Sequence, residues 1–224
     1  MSTIVLTIGG SVILSKDLES SYFKKLANLL KIISKKYKLF IVVGGGDVAR
    51  RYIKLGRELG FSEDILDLIG IDITRINAKF LSNILTDSNN KITYTTDEAI
   101  KLDKSIVIMG GTTPGHSTDM VGAEIAEKTH SELFIIATNV DGIFDKDPNK
   151  YSDAKQIKEI EIDQLIKSFG TQWSKAGKHM VVDGPALKIV KRAKLTTYVL
   201  NGKRLDQLEK ALNFQSFDGT KITV

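Results

Sequence analysis

The chain of 224 residues has no cysteine, and that absence removes disulfides, thiolate nucleophiles and zinc–cysteine sites together. Histidine is almost as scarce. His116, His130 and His179 are the only three, spaced too widely for a metal-ligand pattern, so no metal-binding residues are expected. No apolar run approaches the roughly 20 residues of a membrane span, and Met1-Ser2-Thr3-Ile4 opens a strand pattern without the basic and apolar regions of a signal peptide. A cytoplasmic protein with no membrane partner is the expectation. The P-loop pattern G-x-x-x-x-G-K-S/T is missing, which sets aside the ordinary P-loop kinases and GTPases. No Pro/Gly/Ser-rich linker or low-complexity tract divides the chain, and its length suits one sizeable domain.

What is present is an ordinary globular balance of 42% hydrophobic and 26% charged residues. The net charge of +5 would point to nucleic acid only if the basic residues were clustered. They are mostly interleaved with acids, as in Lys155 to Glu161. The densest run, Lys24, Lys25, Lys31, Lys35, Lys36 and Lys38, falls on the outer side of a helix around Ser21 to Tyr37, whose Phe23, Leu26, Ala27, Leu30 and Ile33 recur toward a core. Solvated helix faces and an anionic small-molecule substrate account for the basic excess, and no nucleic-acid partner is expected.

Strand patterns at Ile4 to Ile8, Leu39 to Val43, Lys91 to Thr95, Ser105 to Met109, Glu132 to Ala137, Thr196 to Leu200 and Thr220 to Val224 alternate with helical ones. The helices are predicted at Val48 to Leu59, Ser62 to Leu85, from Thr96-Asp97, at Asp119 to Thr129 with Ser117 or Thr118 as cap, and at Asp163 to Ser168, Pro185 to Ala193 and Leu205 to Leu212. Apolar strands alternating with helices imply a three-layer α/β/α sandwich with a mainly parallel central sheet. Four short loops follow apolar runs: Gly9-Gly10-Ser11, Gly44-Gly45-Gly46, Gly110-Gly111-Thr112 and Thr138-Asn139-Val140-Asp141-Gly142. Each reads as a strand end feeding a helix, where free backbone N–H groups can meet phosphate.

The stretch Gly44 to Ala49 also fits the dinucleotide pattern G-x-G-x-x-A, so a nicotinamide-dependent oxidoreductase is the natural rival. Three features oppose it: the loop sits on the second strand, Arg50-Arg51 follow directly, and no strand about 20 residues on ends in an acid.

The order and content of the loops resemble the amino acid kinase family, and within it the archaeal UMP kinase branch. The residues that carry the resemblance are Ile8-Gly9-Gly10-Ser11; Val43-Gly44-Gly45-Gly46 with Ala49-Arg50; Asp67-Leu68-Ile69-Gly70; Gly110-Gly111-Thr112-Thr113-Pro114-Gly115-His116-Ser117-Thr118-Asp119; Thr138-Asn139-Val140-Asp141-Gly142-Ile143-Phe144 with Asp147-Pro148; and Pro185-Ala186-Leu187-Lys188-Ile189. They run in family order over nearly the whole chain. The resemblance implies a single amino acid kinase-like domain over residues 1–224, with 1–130 mainly binding UMP and 131–224 mainly binding ATP. It also implies phosphoryl transfer from ATP with Mg2+ to UMP.

Carried over residue by residue, Gly9, Gly10, Ser11, Gly46 and Arg50 match contacts to the ATP phosphates, and Thr138, Asn139, Phe144 and Asp147 fall in the segment around its base and ribose. Gly45 and Asp67 match UMP contacts, and Thr112, Thr113, Pro114, Gly115, His116, Ser117 and Thr118 form the loop that reads the uracil edge and phosphate. Lys188, Asp119 and Arg50 are the expected catalytic groups, Arg50 from the first turn of its helix. Two departures stand out: Thr7 occupies a position where many family members carry lysine, and Phe144 one where tyrosine is common. Another small-molecule kinase of the fold, acting on isopentenyl phosphate or an amino acid, and a non-catalytic nucleotide-binding module remain the alternatives. The family's assemblies imply a homohexamer, and a helix over Ile65 to Leu85 that is apolar on more than one face suits either a subunit contact or full burial.

Overall fold

The computed structural model describes residues 1–13, 19–148, 150–169 and 181–224. Its strands are β1 (Thr3–Ile8), β2 (Lys38–Val43), β3 (Ile106–Met109), β4 (Leu133–Thr138), β5 (Ile143–Phe144), β6 (Gln156–Ile157), β7 (Glu159–Glu161), β8 (Thr197–Asn201) and β9 (Gly219–Thr223). Its helices are α1 (Gly10–Ile13), α2 (Ser20–Ile33), α3 (Gly46–Glu58), α4 (Glu63–Ile84), α5 (Thr96–Ile100), α6 (Thr118–Lys128), α7 (Ile162–Phe169), α8 (Gly184–Ala193) and α9 (Leu205–Leu212).

Seven strands form one sheet in the order β3-β2-β1-β4-β8-β9-β7, parallel except where β9 meets β8. Side chains alternate across it, and both faces are covered, so the inner strands read as unbroken apolar runs. Ile4, Leu6 and Ile8 of β1 join one core with α1, α2, α4 and α9, while Val5 of β1 with Phe40 and Val42 of β2 joins the other with α5 to α8. This is the three-layer α/β/α sandwich expected. The chain runs from β1 outward through β2 and β3, then returns to add β4 and β8 on the other side. That reversal leaves a crevice at the carboxyl ends of β1 and β4, the place where open α/β sheets bind ligands. Among the described residues no helix is long and apolar enough to cross a membrane.

Several expectations are corrected. Residues 91–95 are not a strand: only isolated bridges, Ser88 with Ile106 and Thr93 with Met109, touch the outer edge of β3. The Asn89 side chain is the reason, since it accepts from Ile108 N at 2.6 Å and donates to Ile108 O at 2.9 Å, which occupies backbone groups a partner strand would use. The helix expected to reach Tyr37 stops at Ile33, where the Ser34 hydroxyl turns back to Lys31 O. The loop after β4 does not feed a helix but enters the two-stranded antiparallel ribbon β5-β6. A loop expected from Gly170 to Asp183 lies mostly outside the described residues.

Candidate active site

The first two glycine loops meet backbone to backbone. A Cβ placed on Gly10 would lie 2.1 Å from Gly46 N, and one on Gly46 would lie 2.5 Å from Gly10 C. No side chain fits between them. Gly46 also has φ +67°, a left-handed conformation that glycine adopts without strain. Gly9 N donates to Ala137 O at 2.9 Å, so the end of β4 joins the same cluster. The first turn of α3 opens there, with backbone N–H groups that have no intrahelical acceptor. Because α3 starts at Gly46, Arg50 stands in its second turn rather than its first. Its side chain is well exposed, and its carboxylate neighbour Asp47 is 4.0 Å away.

The loop after β3 lies along α4. Gly111 N donates to the Thr74 hydroxyl at 2.6 Å, Arg75 Nη2 donates to Thr112 O at 3.0 Å, and Gly115 N donates to Asp67 Oδ2 at 2.9 Å. A Cβ on Gly110 would meet Thr74 Oγ1 at 2.6 Å, so that glycine allows the close approach. Asn77 completes the row by donating to Gly44 O at 2.8 Å. One helix therefore ties the second and third glycine loops together. Asp67 and Thr112 to Thr118, far apart in sequence, are brought to one place, with Thr113, Pro114 and Gly115 exposed. Thr74, Arg75 and Asn77 escaped the sequence reading, although Thr74 and Asn77, polar at i and i+3 on an otherwise apolar helix face, were a usable signal.

On the opposite face of the sheet, the Thr7 hydroxyl donates to Asp119 Oδ1 at 2.8 Å. The approach is close enough that a Cβ on Gly122 would lie 2.3 Å from Thr7 Cγ2. Burial, reinforced by the nearby Asp183 carboxylate, pushes the Asp119 carboxyl up to about 7. Ser117, not Thr118, caps α6 by accepting from Met120 N at 2.9 Å. The Ser117 hydroxyl also bonds Asp183, which caps α8 by accepting from Ala186 N at 2.7 Å. Burial raises the Asp183 carboxyl as well, and the Ala186 N–H holds it partly down. Two helix N-termini thus converge on a pair of carboxyl groups. Asp183 is a further residue the sequence reading left without a role, though an aspartate followed closely by proline at a helix start was its signature. Lys188 lies exposed in the second turn of α8. His116 is partly buried, and its Nδ1 has no hydrogen-bond partner.

Thr138 ends β4, Asn139 is exposed, and Phe144 pairs with Gln156 in the ribbon. Asp147 follows in a turn in which its carbonyl accepts from Tyr151 N at 3.0 Å. Gly142, at φ +119°, lets the chain pass Thr220, whose hydroxyl accepts from Ile143 N at 2.8 Å.

A three-layer sheet with glycine loops converging at its switch point defines a binder of phosphorylated small molecules. The chain belongs to the amino acid kinase family, which residues 2–201 match. A uridylate kinase of Methanobrevibacter smithii is 43% identical over 222 residues, 98% of each chain. One from Methanocaldococcus jannaschii is 44% identical over 205 residues, 89% of this chain and 90% of that one. The crystal structure of uridylate kinase from Archaeoglobus fulgidus superposes with a TM-score of 0.87 at 37% identity, covering all of both chains.

Proposed function

We infer that this protein is a UMP kinase, an enzyme that transfers the γ-phosphoryl group of MgATP to UMP and releases UDP and ADP. The observation that carries the reading is the joint presence of a glycine cradle at the switch point and an acceptor loop pinned to α4 through Asp67, Thr74 and Arg75. The relatives named above agree with it. Residues 1–130 serve mainly the acceptor and 131–224 mainly the donor.

A phosphate monoester has its second pKa near 6, so the UMP phosphate is largely dianionic at neutral pH and one of its oxygens can attack without a general base. The new P–O bond forms as the bond from the γ-phosphorus to the β,γ-bridging oxygen breaks, and ADP leaves with that electron pair. The obstacle is charge repulsion, about 4 kcal/mol per pair of charges at 4 Å for an effective dielectric near 20. Backbone N–H groups of Gly9, Gly10, Ser11 and Gly46 hold the donor phosphates, and Arg50 and Lys188 supply cations. Asp119 orients Lys188 and the loop backbone. Gly45, Asp67 and Thr112 to Thr118, including His116, hold UMP; Thr138, Asn139, Phe144 and Asp147 hold the base and ribose of ATP. Mg2+ enters with ATP as part of the substrate and spreads the developing charge.

Tyr52, Leu55, Leu59 and Phe61 beyond and along α3 and Ile65, Leu68, Ile76 and Phe80 of α4 are exposed. The apolar outer stripe of α4 is therefore left open rather than fully buried, which supports assembly through this surface into dimers and a homohexamer in the cytoplasm. Light scattering on the purified protein tests this, and a monomer refutes it.

The decisive experiment is an acceptor screen with MgATP. UMP is expected to be turned over in preference to CMP, AMP, isopentenyl phosphate and acetylglutamate, and equal or better turnover of any of these overturns the assignment. Arg50→Ala and Lys188→Ala are each expected to slow turnover at least about tenfold, roughly 1.4 kcal/mol. Wild-type kinetics in either variant removes that residue from the mechanism.

A further inference from the structure

Arg75 is a charged side chain kept mostly out of water, with 19% of it exposed. Its guanidinium lies 4.2 Å from the centroid of the Tyr94 ring, its Nη2 donates to Thr112 O at 3.0 Å, and Nη1 reaches the exposed Asp72 carboxylate at 3.3 Å. Nε is buried without a partner. Sequestering a guanidinium and leaving one of its donors unpaired is unfavourable, so packing alone would be better served by methionine or leucine. What the cation adds is a charge-assisted bond to a loop carbonyl and a fixed aromatic stack.

Positions 67, 74 and 75 lie seven and eight residues apart, and so share one face of α4. They hold the loop at Gly115, Gly111 and Thr112 in turn. Asp67 and Thr74 take N–H groups; Arg75 takes a carbonyl. The distinction matters because a trans peptide is planar, with its C=O and N–H pointing in opposite directions. Holding Thr112 O toward Arg75 therefore turns the Thr113 N–H away from Arg75 and fixes that peptide plane.

We propose that Arg75, braced by Tyr94, is a positioning residue for acceptor selectivity: it presents the Thr113 N–H as a donor to a base carbonyl, which favours uracil over cytosine. Uracil offers an acceptor at the ring position where cytosine carries an amino donor. A fixed N–H meets a partner in the first case and a second donor in the other. This rests on the UMP kinase reading.

The test compares Arg75→Met, Arg75→Lys, Tyr94→Leu and Tyr94→Phe with wild type, measuring kcat and KM for UMP, CMP and ATP alongside amide hydrogen exchange over residues 110–118 without substrate. Arg75→Met is expected to raise KM for UMP about tenfold, to lower the UMP-over-CMP ratio of kcat/KM by a similar factor, and to leave KM for ATP within about twofold. Exchange across the loop speeds up. Arg75→Lys and Tyr94→Leu fall between wild type and Arg75→Met, and Tyr94→Phe matches wild type. An unchanged UMP-over-CMP ratio in Arg75→Met or Tyr94→Leu, or losses shared equally by both substrates, overturns the selectivity role. Unchanged exchange overturns the loop-holding itself. If wild-type protein prefers another acceptor to UMP, the functional reading and the uracil assignment fail together, a result distinct from either of these.

Discussion

The loops after β3 and β4 both leave the carboxyl edge of the sheet, separated by the two strands β2 and β1, yet they are held by different means. The first, residues 110–118, is pinned along α4 through Asp67, Thr74 and Arg75, with Thr74 and Arg75 largely out of solvent, and its end is tied to Asp183 through Ser117. The second, residues 138–147, hangs from C-terminal elements. Thr220 takes Ile143 N–H, Asn201 reaches Asp141 at 3.2 Å, and Arg204 spans Asp141 at 3.4 Å and Asp218 at 2.5 Å. Those charged groups are roughly one-third to one-half exposed, a setting in which ion pairs contribute little. On the proposed function, this difference makes the first loop a rigid acceptor site that discriminates and the second a more forgiving donor site that grips a large, charge-rich ligand at many points.

The largest effect is expected where the two regions meet. In Gly10→Ala the new methyl group runs into the backbone of Gly44 to Gly46, which cannot swing aside as a side chain could. Binding of both substrates is expected to suffer together, with kcat/KM for each down more than about a hundredfold, or 2.7 kcal/mol, and unfolding stability down about 1–3 kcal/mol. Denaturant titration and steady-state kinetics check this. Loss confined to one substrate would show that the two sites are not built on a common cradle.

Next comes Asp119, which follows the first loop directly and accepts from Thr7 of β1. Its carboxyl titrates near 7 when folded against a reference of 3.8, so between those values the folded state binds more protons than the unfolded one. Stability therefore declines as pH rises from about 4 to 7, and the whole penalty is present above 7. Asp119→Asn carries no such penalty: it should unfold at a higher temperature than wild type at pH 8, by about 2–4 °C per kcal/mol recovered, with the gap closing by pH 4. The same change should lower kcat about a hundredfold at pH 8. Wild-type kcat should itself fall as pH drops through 7. A variant less stable than wild type at pH 8, or a flat wild-type profile from pH 5.5 to 8, contradicts the ionised role.

Legibility in the sequence follows the same division. β1, β2 and β4 were readable because strands buried on both faces are continuous apolar runs, and the glycine triplet was readable because it packs backbone to backbone on Gly10, where any side chain would collide. The ribbon β5-β6 was not, since strands of two residues have no period to detect. Ile92-Thr93-Tyr94 alternated like a strand, but what denied it a ladder was Asn89, a side chain whose role depends on β3 some 19 residues away. Candidate site residues in the family motifs were found through resemblance. Arg75 and Asp183 were missed because an arginine on a helix reads as solvated, and because the partners of Asp183, Ser117 and Asp119, lie more than 60 residues earlier in the chain.

The smallest effect should come from the donor side, in Arg204→Met. Lys158 and then Arg204 pull the Asp218 carboxyl down to about 2, so Asp218 is ionised throughout the working pH range and its attraction to Arg204 is a matter of salt rather than protons. An exposed pair of this kind is worth about 0.2–1 kcal/mol. Removing the guanidinium should therefore raise KM for ATP only two- to fivefold, leave KM for UMP unchanged, and do so at low ionic strength alone. At 1 M salt, where charges are screened beyond about 3 Å, variant and wild type should converge. The corresponding Arg75→Met defect, carried by a shielded guanidinium on a backbone carbonyl, should persist there. If both defects vanish with salt, the two loops are held alike and the contrast between a rigid acceptor site and a forgiving donor site is wrong.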